Sequence, residues 1–134
     1  MTGSFLLDTN IVSDLMRDPG GRVSRRIARA GEQNVCTSVI VAAEMRYGIA
    51  KRGSTRLLTQ LETIFLRLEI LPLEPPSDIV YGDVRARLER AGTLIGPNDL
   101  LIASQALALD LTLVTDNERE FSRVPDLRIE NWLR

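Results

Sequence analysis

Histidine is absent from the 134 residues. That removes the commonest general base, the commonest metal ligand and every Ser-His or Cys-His mechanism. Hydrolysis by such a chain has to rest on carboxylates, on lysine, or on a metal ion that makes its own hydroxide. Lysine is nearly absent as well: Lys51 is the only one among 17 basic residues. Arginine suits bidentate contact with phosphate, although GC-rich coding produces the same bias. Cys36 is the one cysteine and has no internal disulfide partner. No apolar run nears the ~20 residues that cross a bilayer. The start, MTGSFLLDTN, lacks the basic end and long apolar stretch of a secretory leader. These absences predict a cytoplasmic protein with no membrane association. Phosphate-binding glycine loops, dinucleotide fingerprints, G-x-S-x-G elbows and Cys/His zinc spacings are missing too.

What remains is an ordinary globular composition, 44% hydrophobic and 26% charged with a net charge of −1. It fits one domain over residues 1–134. The overall charge does not announce a nucleic-acid binder. Locally, RVSRRIAR places Arg22, Arg25, Arg26 and Arg29 within one short helical stretch, largely on one face. That face is either a solvated helix surface or a rim that contacts RNA phosphates.

Short apolar runs alternate with amphipathic stretches along the chain. Residues 4–8, 34–37, 70–73 and 111–115 read as strands, with 127–129 as a further candidate. Helices are expected over 9–17, 22–30, 39–51, 55–68, 77–91 and 97–109. Ser38 is placed to cap the third of these, Gly92 to end the fifth, and Pro97 to begin the sixth. Continuous apolar strands separated by helices imply an α/β fold, a mainly parallel sheet of four to five strands flanked by helices on both faces. Ligands in such folds bind beyond the carboxyl ends of the strands.

Acidic residues gather at those ends. The first strand runs into Asp8-Thr9-Asn10, the second into Thr37-Ser38 and a helix carrying Glu44. The LTLVT strand runs into Asp116-Asn117 with Glu120 close behind, and Asp99 sits in the first turn of its helix. Taken singly, Asp8 fits a turn or cap, Asp99 a helix dipole, Asp116 a turn. Glu44 is harder to explain so, because residues 39–43 and Met45 are apolar and an unpaired buried carboxylate is costly. Several acids in one crevice repel one another unless a cation neutralises them. Mg²⁺ or Mn²⁺, which take oxygen ligands, fit that role, and phosphodiester hydrolysis is the chemistry such a cluster supports. If residues 116–121 form a helical turn, Glu120 shares a face with Asp116 and Asn117. Glu120 then becomes the fourth acid, and Asp116 orients water or caps the turn.

LLDTNIVSDLMR, SVIVAAEMRYGIAK and GTLIGPNDLLIASQALALDLTLVTDNEREFSRVPDLRIENW together resemble the PIN-domain ribonucleases of the VapC toxin type. The likeness covers nearly the whole chain in the family's order. It implies a PIN-like three-layer sandwich and a metal-dependent endoribonuclease. Asp8 and Asp99 match the aspartates assigned to Mg²⁺ and Glu44 the glutamate that completes the cluster; Thr9, Ser38 and Thr115 match small hydroxyl positions lining the site. Relatives commonly end the last strand T-x-D, whereas here Asn117 stands at the acid's position, which leaves Glu120 or Asp116 as the fourth ligand. The resemblance further implies a homodimer, a VapB-type antitoxin that alone contacts operator DNA, and structured RNA as substrate, with the initiator tRNA anticodon stem-loop as one target. Two other readings are open: a different metal-dependent phosphoester hydrolase, or a degenerate PIN binding module. The intact Asp8, Glu44 and Asp99 set argues against the second.

Overall fold

Strands of two to four residues are enough to build this sheet, because its central strands are covered on both faces. In the computed structural model, which describes residues 4–134, the strands are β1 (Phe5–Leu7), β2 (Val35–Ser38), β3 (Glu69–Leu71), β4 (Thr112–Val114) and β5 (Ile129–Glu130). Residues 1–3 of the expected domain lie outside the described part. The five strands pair entirely in parallel in the order β3-β2-β1-β4-β5. Every residue of β2 and β4 is buried, which explains why neither shows a polar–apolar alternation.

The connecting helices are α1 (Thr9–Arg17), α2 (Arg22–Ala30), α3 (Val39–Arg52), α4 (Thr55–Phe65), α5 (Ser77–Ala91), α6 (Pro97–Ala108) and the short α7 (Glu118–Phe121). Their ends follow local chemistry. Asp8 caps α1 by accepting from the Thr9 N–H, Ser38 caps α3 through Ile40, and Ser54 caps α4 through Leu57. Gly53 and Gly92 close α3 and α5 in the left-handed conformation that glycine adopts at least cost. Side chains from both helical layers meet the sheet in one core that includes Leu6, Leu7, Val41, Leu100, Ile102, Leu113 and Trp132.

Some boundaries differ from expectation. The strand expected at 34–37 lies at Val35–Ser38, since Asn34 closes a 3₁₀ turn. The helix expected over 55–68 stops at Phe65; Leu66 is 87% exposed, and Leu68 turns back into the core. The strands expected at 70–73 and 127–129 shift to Glu69–Leu71 and Ile129–Glu130.

Strand order decides where the site sits. From β1 the chain steps to β2 and β3 on one side, then returns to β4 and β5 on the other. Right-handed crossovers in opposite directions place helices on opposite faces and open a crevice between β1 and β4 at their carboxyl ends. Leu7 registers with Val114, so the next residues, Asp8 and Thr115, emerge side by side into that crevice.

Candidate active site

Asp8 is only 4% exposed, and its carboxylate is fixed from several directions. The Thr9 N–H donates to Oδ1 at 2.8 Å, the Thr115 hydroxyl to Oδ2 at 2.7 Å, and the Asn10 amide reaches Oδ2 at 3.4 Å. Burial raises its pKa, and the negative charges of Glu44 and Glu120 push the same way; the Thr115 and Thr9 hydrogen bonds oppose the rise. The Thr115 hydroxyl also accepts from the Asn117 N–H at 2.9 Å, which ties the β4 exit loop to the same aspartate.

Glu44 comes from α3 and is half-buried. The Thr9 hydroxyl donates to Oε1 at 2.7 Å, and the Asn98 amide to Oε2 at 3.3 Å. Arg46 does not neutralise it; that guanidinium pairs with Glu62. Thr9 therefore links two acids, with its backbone on Asp8 and its hydroxyl on Glu44.

Asp99 stands in the first turn of α6, where Pro97 starts the helix. Its carboxyl is pushed up to about 7, chiefly by burial and next by the charges of Glu120 and Asp8, with a hydrogen bond to Glu120 and the charge of Glu44 adding to the rise. Glu120 moves the other way. The Gly96 N–H donates to its Oε1 at 2.8 Å and the Asn117 amide to its Oε2 at 2.7 Å, and these donors hold it ionised. Asp99 is thus the member of the pair that keeps the proton.

The structure brings Asp8, Glu44, Asp99 and Glu120 into one another's field. Asp116 is elsewhere: its Oδ1 accepts from the Asn131 amide at 2.9 Å and its N–H donates to Asn10 Oδ1 at 3.0 Å. The turn that carries Glu120 is anchored by buried Phe121 and Val124. Ser38 is fully buried and spends its hydroxyl on the α3 cap. The four arginines of α2 separate into different roles. Arg26 is half-buried, lies 5.2 Å from the Trp132 ring centroid and pairs with Glu130 at 3.3 Å. Arg22 donates to the Leu133 carbonyl and Arg25 to that of Gly20, and Arg22, Arg25 and Arg29 are all exposed.

Asn10, Asn98 and the Gly96 N–H were not singled out by sequence reading, yet each touches a cluster acid. Only Asn10 left a signal, two residues after Asp8 in a helix that Asp8 caps. The cluster's fit to a cation can be judged from its donors. Among the described residues no lysine or arginine forms an ion pair with Asp8, Glu44, Asp99 or Glu120, and burial together with the neighbouring acids raises the Asp99 carboxyl. No three acids among the described residues stand close enough to complete a metal's coordination unaided. The all-oxygen donor set is of the kind taken by an ion such as Mg²⁺, which keeps several waters and binds through one or two carboxylates plus substrate oxygens.

A carboxylate crevice at the topological switch of a five-stranded parallel sheet defines a class, and the chain belongs to the PIN-domain family, whose model matches residues 5–127. Within it the similar proteins include VapC ribonucleases. The chain is 39% identical to "Ribonuclease VapC2" of Rickettsia felis over 96% of this chain and 97% of the other. It is 36% identical to the "tRNA(fMet)-specific endonuclease VapC" of Salmonella typhimurium over 96% and 97% respectively. The solved DNA-bound VapBC complex from Salmonella typhimurium contains a chain that superposes with a TM-score of 0.90 at 36% identity, covering 97% of this chain and 98% of that one.

Proposed function

We propose that the chain is a Mg²⁺- or Mn²⁺-dependent endoribonuclease, the toxin of a VapBC-type pair. The observation that carries the reading is the convergence of Asp8, Glu44, Asp99 and Glu120 on one crevice, where Thr9, Thr115, Asn98, Asn117 and the Gly96 N–H hold three of the acids and the fourth, Asp99, is hydrogen-bonded to Glu120. Asp8 and Asp99 would be the principal ligands, with Glu44 and Glu120 completing the negative wall; Thr9, Thr115 and Asn117 orient them. A bound divalent ion would lower the pKa of water and offset the charge that builds on the phosphate during in-line attack. Thr9 fixes Glu44 relative to Asp8, and Gly96 with Asn117 fixes Glu120 relative to Asp99, so the acids are set before substrate arrives. Arg25 and Arg29 offer exposed cationic contacts for an RNA backbone.

The tRNA(fMet)-specific naming of a relative supports an initiator tRNA target, whose cleavage would stop translation. The VapBC complexes among the structural relatives support a VapB-type antitoxin as partner, with operator DNA contacted through it. A cavity of about 450 Å³ near the start of β2, lined by Leu15, Met16, Ile27, Ile64 and Leu68 among others, is too apolar for RNA and fits a partner's side chains. Among the described residues no helix is long and apolar enough to cross a membrane, in keeping with action on cytoplasmic RNA.

The test is cleavage-site mapping in total RNA after brief expression, alongside hydrolysis of a small phosphomonoester by the purified chain. Discrete cuts in one structured RNA, with the phosphomonoester untouched, are expected. Phosphomonoester turnover without RNA cleavage would replace this reading with that of a different phosphoester hydrolase.

A further inference from the structure

A continuous run of hydrogen bonds joins the C-terminal segment to Asp8. Arg22 donates to the Leu133 carbonyl at 2.6 Å, and the Leu133 N–H donates to Asn131 Oδ1 at 2.9 Å. The Asn131 amide then donates to Asp116 Oδ1 and Glu118 Oε2, each at 2.9 Å. The Asp116 N–H donates to Asn10 Oδ1 at 3.0 Å, and Asn10 Nδ2 approaches Asp8 Oδ2 at 3.4 Å. The segment does not depend on Asn131 for its attachment. Trp132 is 1% exposed, packs on Phe5 at 5.1 Å between ring centroids, and lies under Arg26.

Two acids, Asp116 and Glu118, flank Asn117, the residue whose amide holds Glu120. Each adds negative charge to a turn that leads into a crevice already lined by four acids. One amide of Asn131 holds both, and the Arg134 guanidinium also pairs with Glu118 at 3.4 Å. The effect of Asn131 therefore reaches the site along two routes, through Asn10 to Asp8 and through the Asn117 turn to Glu120.

We propose that Asn131 and Asn10 are positioning residues for the metal-binding crevice: Asn131 holds the Asp116–Glu118 turn away from the cluster, and Asn10 passes that placement to the Asp8 carboxylate. This rests on the reading of Asp8 as a ligand for a divalent cation. Partners of this kind, once or twice removed from the ion, commonly change metal affinity by about 10- to 100-fold.

The experiment measures Mn²⁺ binding to the purified metal-free chain by electron paramagnetic resonance, with no RNA present. Asn10→Ala should weaken binding about tenfold, and Asn131→Ala and Asn131→Asp about three- to fivefold each, the more remote position having the smaller effect. Asn131→Asp keeps an acceptor for the Leu133 N–H but sets a third negative charge against Asp116 and Glu118 in place of the donor, so it turns the anchor of the turn into a repulsion and carries the test if the alanine variant does not fold. Arg128→Ala is the comparator. It frees Asp110 and Thr112 at the opposite end of β4 and should bind Mn²⁺ as wild type does. Asn131 variants that match Arg128→Ala would overturn the positioning role. Asp8→Asn separates the two ideas: it should abolish binding, and wild-type affinity in that variant would overturn the metal-site reading itself.

Discussion

Asp8 and Asp99 face one crevice with the same side chain, yet the fold treats them differently. Asp8 receives a backbone N–H, a hydroxyl and an amide, from α1 and the end of β4. Asp99 has Glu120 as its hydrogen-bonding partner and takes up a proton near neutral pH. The β1–β4 side is pre-organised by donors, whereas on the α6 side Asp99 leans on a second acid. A cation entering the crevice would find its first anchor rigid and its second one waiting to ionise.

The largest effects come from deleting either charge. Asp99→Asn and Asp8→Asn should each reduce RNA cleavage by about 100-fold or more, if each ligates the ion. Their stabilities should differ. Asp99→Asn relieves repulsion and should melt no lower than wild type in the absence of metal. Asp8→Asn sets an amide N–H against the Thr9 and Thr115 donors in a buried position, which offsets the relief of buried charge, and should melt lower than Asp99→Asn. Equal melting temperatures for the two variants would break the contrast.

Glu120→Gln comes next. It should slow cleavage tenfold or more, about 1.4 kcal/mol of transition-state stabilisation, with Asp116→Asn milder because Asp116 faces Asn131. The opposite ranking would exchange their roles.

The proton on Asp99 makes metal-free stability depend on pH. Its folded pKa, about 7, lies above the ordinary 3.8, so between those values the folded state binds a proton that the unfolded state has lost. Stability from this group is complete below about 3.8 and is lost as pH rises through about 7. Asp8, also raised, acts in the same direction. Glu120, lowered, acts oppositely and only in acid, as pH falls below its ordinary 4.5. Chelator-treated protein should therefore melt lower at pH 8 than at pH 5, and Asp99→Asn should flatten that slope. An unchanged slope in the variant would locate the titration elsewhere.

The smallest effects belong to α2. Arg25→Ala and Arg29→Ala should raise the KM for RNA about two- to threefold, more at low salt, with kcat intact. Arg26→Ala should instead lower the melting temperature, since its stacking on Trp132 contributes about 0.5–1 kcal/mol. A kcat loss at Arg29 would bring that residue into the crevice.

The fold was legible because its signals are local. The apolar strands, Ser38 as a cap, Gly92 as a stop and Pro97 as a start all act within a turn of their own position. Asp8 and Asp99 could be grouped because one follows a strand end and the other begins a helix, and Glu44 because it interrupts an apolar stretch. The donors that define the site were harder to see. Asn98 meets Glu44 across 54 positions, and Gly96 meets Glu120 across 24; no periodicity encodes such pairings. The arginines of α2 show the converse error of a pattern. Helical spacing put four cations on one face, but burial of Trp132 diverts Arg26, and the Leu133 carbonyl takes Arg22.

The central claim is that these acids work by holding a divalent cation, and chelation tests it most directly. Protein stripped with EDTA and shown metal-free by elemental analysis should not cleave its RNA, and should regain cleavage on adding Mg²⁺ or Mn²⁺. Undiminished cleavage by the verified metal-free protein would contradict the account.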